Sequence, residues 1–254
     1  MSPPAPTLAA PFDSELALLA AGVKRVIKME FAEPDRVARA VTLGFTARQA
    51  DGRYGVTSAS ADITYDAGQA TTVFVGRDID VKRAVEVEVI ERGTTGETRL
   101  EAMREMGALL GYPACCTAAY SEQEDQGESA SFARLLGAGP QNHGTFPNNL
   151  FVLEHQLISH FPCTLSCAQS EAVAKAALDA CRKEHPDYSV DLEALLRSEI
   201  QVWDRFRFLI AHPEGRRHAR HISSFRRVLD HPSFRAFEAG LPAVPEGGVT
   251  LSWT

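Results

Sequence analysis

Residues 100–116 read LEAMREMGALLGYPACC and carry the signals of two consecutive helices. Gly111 is typical of the position just after a helix, and Pro113 is typical of the first position of the next one. The second helix would then hold two adjacent cysteines, Cys115 and Cys116, in its first turn. The apolar residues before Gly111 recur at helical spacing and predict one buried face: Leu100, Met103, Met106, Leu109 and Leu110.

A second stretch, HFPCTLSC at 160–167, again combines proline with cysteine. If Pro162 begins another helix, Cys163 and Cys167 lie one turn apart on one face, because residues i and i+4 are neighbours on a helix. Unpaired first-turn N–H groups and the helix dipole favour a thiolate over a thiol. We expect His160, three residues before Cys163, to point to the same place.

The chain has five cysteines among 254 residues, and an odd number indicates metal or redox chemistry rather than a disulfide framework. We predict four metal ligands: Cys115, Cys116, Cys163 and Cys167. Neighbouring side chains on a helix diverge by about 100°. Cys116 is therefore the preferred ligand of its pair, and the fourth position is left to Cys115, His160 or an exogenous ligand. Cys181 is expected to be a buried apolar residue of a helix.

Two kinds of metal centre fit this set of ligands. Three protein ligands with an open corner describe catalytic zinc, and they also suit a four-iron cluster with one accessible iron. Four thiolates suit a closed zinc site or a four-cysteine cluster. An iron–sulfur cluster is the first choice of cofactor and zinc the second. His160 is the predicted catalytic residue, and the predicted residues that orient the ligands are Asn148, Asn149 and His155.

The pairing of MGALLGYPACC with HFPCTLSCAQS resembles an uncharacterised prokaryotic family, mainly archaeal, with a GYPxCC and HxPCSxxC cysteine signature. Thr164 stands where that family usually has serine, which keeps the hydroxyl group. The resemblance implies a Cys/His metal or cluster site and no established reaction. It covers residues 100–171, and its matching positions are Gly107, Leu110, Gly111, Tyr112, Pro113, Cys115, Cys116, His160, Pro162, Cys163, Cys167 and Ser170.

Composition narrows the class of protein. The formal net charge of −7 excludes a generic nucleic-acid binder. The sequence contains no run of 18 apolar residues, so no membrane span is predicted. The start MSPPAPTLAAPF lacks the features of a signal peptide. We therefore expect a cytoplasmic protein. No nucleotide-binding fingerprint and no hydrolase elbow occurs.

The pattern of helices and strands predicts an α+β fold, with a small mixed N-terminal α/β domain followed by a mainly helical cysteine-bearing region. The expected parts are a flexible arm over 1–12, an α+β domain over 13–92, a helical Cys/His metal-site region over 93–190 and an Arg-rich C-terminal region over 191–254 packed on it. Within the metal-site region, residues 148–160 are predicted to be helical. The segment from Leu192 onwards predicts either one long helix or a helix followed by a strand.

Residues 203–235 contain eight arginines against three acidic residues. Guanidinium groups bind phosphate and carboxylate well, so Arg216, Arg217 and Arg220 are predicted to bind an anionic substrate. A solvated surface of paired arginines is the alternative. Aromatic residues between the arginines are few, and a nucleic acid is not an expected partner.

Three functions remain open from the sequence. The first is an enzyme with a Cys-ligated iron–sulfur or zinc centre that acts on a small anionic or sulfur-containing substrate. The second is a non-catalytic zinc protein that binds a partner through its Arg-rich face. The third is a thiol redox or metal-trafficking protein in which Cys115 and Cys116 switch between states.

Overall fold

The computed structural model of the chain describes residues 12–29, 34–50, 55–57, 62–64, 72–122, 127–137, 143–152, 155–202, 207–211, 217–221 and 248–254. Helices and small antiparallel and mixed sheets occur in these ranges, which confirms the α+β class. The predicted arm lies outside the described residues except for Phe12. The chain divides into two compact units, namely Glu15–Ser129, and Met1–Ser14 together with Ala130–Thr254. The predicted boundaries after residues 92 and 190 stay predictions.

The unit Glu15–Ser129 contains the strands β1 (Val26–Met29), β2 (Thr46–Ala50), β3 (Gly55–Thr57), β4 (Asp62–Thr64) and β5 (Thr72–Gly76). β5 lies between β1 and β2 in an antiparallel sheet, and β3 pairs with β4. Successive side chains of a strand point to opposite faces. Val26 and Phe74 accordingly belong to one apolar core, and Ile27 and Val75 belong to another.

Helices cover both faces of this sheet. They are α1 (Ser14–Ala20), α2 (Pro34–Thr42), α3 (Asp78–Gly93) and α4 (Gly96–Leu109); a fifth helix, α5 (Ala114–Ser121), packs on α4. α1 and α2 pack on the face of Ile27, and α3 and α4 pack on the face of Val26. The predicted buried side of α4 is confirmed, since Met103, Met106 and Leu109 are buried.

In its described residues, the other unit contains a five-stranded sheet and three helices. The strands are β6 (His143–Gly144), β7 (Glu199–Val202), β8 (Arg207–Ala211), β9 (Arg217–His221) and β10 (Val249–Trp253), and the helices are α6 (Gly127–Leu136), α7 (Ala168–Glu184) and α8 (Pro186–Leu196). The strand order is β6-β10-β7-β8-β9, with β10 parallel to β6 and antiparallel to β7. Phe151, Leu165, Ile200 and Trp253 contribute to the core of this unit.

Two predicted helices are wrong. Residues 148–160 do not form an α-helix in the described part of that stretch; a 3-10 helix, Phe146–Asn148, is followed by turns and bends. Here the Oδ1 atom of Asn149 accepts a hydrogen bond from the backbone N–H of Phe151, a local contact that competes with helix formation. The helix expected from Pro162 begins instead at Ala168.

The segment after Leu192 follows the second of its two alternatives. α8 ends at Leu196, and β7 begins at Glu199. Within the described ranges, no helix has the length and apolar character needed to cross a membrane.

Candidate metal centre

Four cysteines form one group of potential metal ligands. The Sγ atoms of Cys115, Cys116, Cys163 and Cys167 all lie within 4.8 Å of one another. Cys116 and Cys167 are buried, and Cys115 and Cys163 are half-buried. Thiolates at such separations are compatible with a metal site. The structure thus brings together the four cysteines that the sequence singled out.

Cys115 and Cys116 lie in the first turn of α5. The carbonyl of Pro113 accepts hydrogen bonds from the backbone N–H groups of Cys116 at 2.9 Å and of Thr117 at 3.0 Å, which starts the helix. Gly111 has a φ of 70° and reverses the chain between α4 and α5. The Sγ atoms of the two cysteines are 3.8 Å apart, so both belong to the group despite their divergence around the helix axis.

A close contact between α4 and α5 explains the glycine in GALLGY. A Cβ atom at Gly107 would lie only 2.4 Å from the Oγ1 atom of Thr117. Any larger residue at position 107 would push away the turn that carries Cys116. The sequence alone indicates only that Gly107 lowers the helix propensity of its segment.

Cys163 and Cys167 lie in a compact loop that precedes α7. The backbone N–H of Cys167 donates to the carbonyl of Thr164 at 3.1 Å and closes a turn. The backbone of Cys167 is extended, with a φ of −62° and a ψ of 112°, and this residue caps α7. The carbonyl of Leu165 accepts from the backbone N–H of Thr145 at 3.2 Å. The turn at Thr164 and this long-range bond hold residues 164–167 in a loop, and the predicted helix start at Pro162 is wrong.

Side chains from other elements also bind this loop. Arg134, in α6, donates from Nη2 to the carbonyl of Pro162 at 3.2 Å. Asn148 donates from Nδ2 to the carbonyls of Leu165 at 3.2 Å and Cys167 at 3.1 Å. Arg134 was missed in the sequence, because its polar segment has no pattern that relates it to the cysteines.

His160 is buried and lies beside the first turn of α7. Its Nε2 atom is 3.0 Å from the Oγ atom of Ser170, which is also buried. The group of four sulfur atoms does not include a histidine nitrogen. A catalytic role for His160 stays a prediction.

The other two residues predicted to orient the ligands make different contacts. Asn149 donates from Nδ2 to the carbonyl of Leu196 at 2.8 Å. The Nδ1 atom of His155 lies 2.7 Å from the hydroxyl of Tyr188, and burial raises the pKa of that hydroxyl. Their roles toward the cysteines stay predictions.

The predicted substrate-binding arginines are only partly described. Arg216 lies outside the described residues. Arg217 and Arg220 are on β9, where they pair with Ala211 and Phe208 of β8. Binding of an anion by these residues stays a prediction.

Cys181 is separate from the group of four. It is fully buried in α7, and burial raises the pKa of its thiol to about 11. A thiol in this state is a poor nucleophile and a poor metal ligand. The prediction of a buried apolar residue is confirmed.

No family model, curated protein or solved structure matches this chain. The resemblance to the archaeal cysteine-signature family therefore stays a prediction.

Proposed function

We propose that this chain is a metalloprotein that holds a single metal ion, zinc in the first place, with the thiolates of Cys115, Cys116, Cys163 and Cys167. The supporting observation is the close approach of the four sulfur atoms, all within 4.8 Å of one another. In this proposal the ion has a structural role. It cross-links two segments that are far apart in the sequence.

Sulfur separations favour one ion over a four-iron cluster. Four thiolates around one zinc ion, at Zn–S distances of about 2.3 Å, lie about 3.8 Å apart when the geometry is tetrahedral. The Sγ atoms of Cys115 and Cys116 have this separation, 3.8 Å. In a four-iron cluster each thiolate binds a different iron, so the sulfurs are spread farther apart than around one ion. The iron–sulfur cluster preferred on sequence grounds thus becomes the second choice.

The number of thiolates favours a structural role. Catalytic zinc sites keep one position for water or substrate, whereas closed sites use four protein ligands. With both Cys115 and Cys116 in the group, four thiolates are available and no position is left open. A closed thiolate site is negatively charged. The positive N-terminal end of α5 and the guanidinium of Arg134, bonded to the carbonyl of Pro162, offset that charge.

Cobalt substitution with X-ray absorption tests this proposal. Protein loaded with Co²⁺ should show intense sulfur-to-metal charge-transfer bands, and the zinc form should show four sulfur neighbours at about 2.3 Å. Three sulfur neighbours with a water molecule in the fourth position would point to an open site and hence to an enzyme. A neighbouring metal atom would point to a cluster.

A thiol redox function is the second candidate, and the contact between Cys115 and Cys116 favours it. Cys115 is half-buried and therefore within reach of a small oxidant. In this case the purified chain would hold no metal. Its mass would fall by two hydrogens on mild oxidation, because two thiols form one disulfide and pass two protons and two electrons to the oxidant.

A further inference from the structure

The side chain of Asn148 is fully buried at the end of the 3-10 helix Phe146–Asn148. Its Nδ2 atom has three oxygen atoms within hydrogen-bond distance. They are the Oγ1 atom of Thr145 at 3.1 Å, the carbonyl of Leu165 at 3.2 Å and the carbonyl of Cys167 at 3.1 Å. Three acceptors around one atom fix the orientation of the amide, because a flipped amide would place its own oxygen against them.

The two carbonyls bound by Asn148 each accept a second hydrogen bond. The carbonyl of Leu165 accepts from the backbone N–H of Thr145 at 3.2 Å, and the carbonyl of Cys167 accepts from the backbone N–H of Glu171 at 2.9 Å. A carbonyl oxygen has two lone pairs, so both acceptors are fully used. The peptide plane before Ser166 and the peptide plane after Cys167 are therefore each held from two directions.

We infer that Asn148 is a positioning residue of the metal centre, which acts through the backbone of Cys167. This inference rests on the proposed function and adds the residue that prepares one ligand for the ion. The direction of the Cys167 side chain follows from the orientation of its backbone, and the amide of Asn148 holds that orientation before metal binds. A preformed ligand loses less conformational freedom on binding, which raises affinity.

An amide of this length is the side chain that the position requires. The carbonyls of Leu165 and Cys167 and the Oγ1 atom of Thr145 share the two N–H donors, and no charge is added to a buried place. Aspartate at position 148 would place carboxylate oxygens, which only accept hydrogen bonds, against the two carbonyl oxygens. Alanine would leave each carbonyl with one hydrogen bond fewer. In the described part of the chain the Oδ1 atom of Asn148 has no hydrogen-bond partner, so the donors alone explain the residue.

Asn149 offers a matched comparison. It is as fully buried as Asn148. Its Nδ2 atom donates to the carbonyl of Leu196 at 2.8 Å, and its Oδ1 atom accepts from the N–H of Phe151 at 2.9 Å. Neither of these bonds reaches the loop of Cys163 and Cys167. Removal of either asparagine should cost stability, but only Asn148 should change the metal site.

The test compares Zn²⁺ affinity in the wild-type chain, Asn148→Ala, Asn148→Asp and Asn149→Ala. Affinity is measured by competition with a chromophoric chelator at a temperature at which circular dichroism shows each variant folded. Both Asn148 variants should bind zinc about 10- to 100-fold more weakly than wild type, the usual cost of removing a residue that orients a metal ligand. Their Co²⁺ charge-transfer bands should shift. Asn149→Ala should keep the wild-type bands and an affinity within about twofold of wild type.

The outcomes separate this inference from the proposed function. If wild-type protein binds no metal, the proposed function fails and the inference fails with it. If wild type binds zinc but the Asn148 variants bind as tightly as Asn149→Ala, only the inference is overturned. Should the Asn148 variants not fold, Thr145→Val removes one partner of the same amide. It should weaken zinc binding several-fold, and unchanged affinity would overturn the inference.

Discussion

The Nε2 atom of His160 lies 3.0 Å from the Oγ atom of Ser170, and both side chains are buried. Ser170 is in the first turn of α7, so this contact ties the beginning of the cysteine loop to the helix that follows it. The loop with Cys163 and Cys167 is therefore attached to α7 at both ends, by the His160–Ser170 contact at its beginning and by the chain itself after Cys167. The proposed site uses His160 as support and Cys115 as the fourth ligand.

Substitutions at His160 and Cys115 should therefore have different effects. His160→Gln should keep one metal ion per chain, because the histidine nitrogen is not in the group of ligand atoms. Cys115→Ala should lower metal content or weaken binding, since a closed site loses one of its four thiolates. Metal analysis after gel filtration measures both. Loss of metal from His160→Gln with retention in Cys115→Ala would reverse the assignment.

Ser170→Ala is the companion experiment for stability. Loss of one buried hydrogen bond should lower the free energy of unfolding by about 1 kcal/mol. Chemical denaturation of the metal-loaded protein measures this difference. An unchanged unfolding midpoint would contradict the proposed support of the cysteine loop by His160 and Ser170.

Single cysteine substitutions test the membership of the site. Cys116→Ala and Cys163→Ala should each abolish stoichiometric metal, because each removes a ligand. Cys181→Ala is the matched control, since this cysteine is fully buried and outside the group. It should keep its metal and lower the free energy of unfolding by roughly 1 kcal/mol, a typical effect of a buried substitution. Stoichiometric metal in Cys116→Ala or Cys163→Ala would contradict the assignment of these cysteines as ligands.

The contact between Gly107 and Thr117 gives a test of how α5 is placed. Gly107→Ala improves helix propensity, but its Cβ would lie 2.4 Å from the Oγ1 atom and 2.7 Å from the Cγ2 atom of Thr117. We expect the free energy of unfolding to fall by about 1 to 3 kcal/mol, the usual cost of overpacking. We also expect weaker metal binding, because α5 carries two of the proposed ligands. Thermal unfolding and zinc competition measure the two effects.

The double variant Gly107→Ala with Thr117→Ala is the control for that steric cause. It removes both of the nearest atoms and should recover most of the lost stability. Thr117→Ala alone should cost little, because within the described residues its buried hydroxyl has no hydrogen-bond partner. If the double variant is no more stable than Gly107→Ala, crowding is not the cause.

Burial raises the pKa of Glu91 above its usual range; Glu88 adds to the rise, and Lys28, Arg92 and Arg99 oppose it. The folded state therefore keeps this proton to a higher pH than the unfolded chain. The carboxyl destabilises the fold as the pH rises above 4.5, its ordinary pKa. Glu91→Gln should raise the free energy of unfolding at pH 7 by about 0.5 kcal/mol.

The measurement for Glu91 is urea denaturation at several pH values. Wild type and Glu91→Gln should differ most near neutral pH and should approach each other below pH 4.5, where the carboxyl is protonated in both states. Parallel curves over the whole range would contradict the raised pKa.

The sequence predicted the cysteine group and the longer helices well, because these depend on local patterns. The apolar spacing before Gly111 marked α4, and prolines near cysteines marked the two cysteine segments. Confinement of the second segment to a loop was not predictable from such patterns. Its carbonyls bind the backbone of Thr145 and the side chains of Arg134 and Asn148, all of them distant in sequence.

The same limit applies to the C-terminal sheet. β10 pairs antiparallel with β7 and parallel with β6, although more than a hundred residues separate β10 from β6. Trp253 covers Gly144, where a Cβ atom would lie 2.4 Å from its ring. Neither the pairing nor this contact leaves a mark in the local sequence.

Analysis of metal and inorganic sulfide in protein purified without oxygen tests the central claim most directly. We predict one zinc ion per chain, no inorganic sulfide and no visible absorption. Several irons with matching sulfide and broad visible absorption would contradict the single-ion site and restore the iron–sulfur enzyme. A chain that contains neither metal nor sulfide and cannot take up zinc would contradict the metal centre altogether.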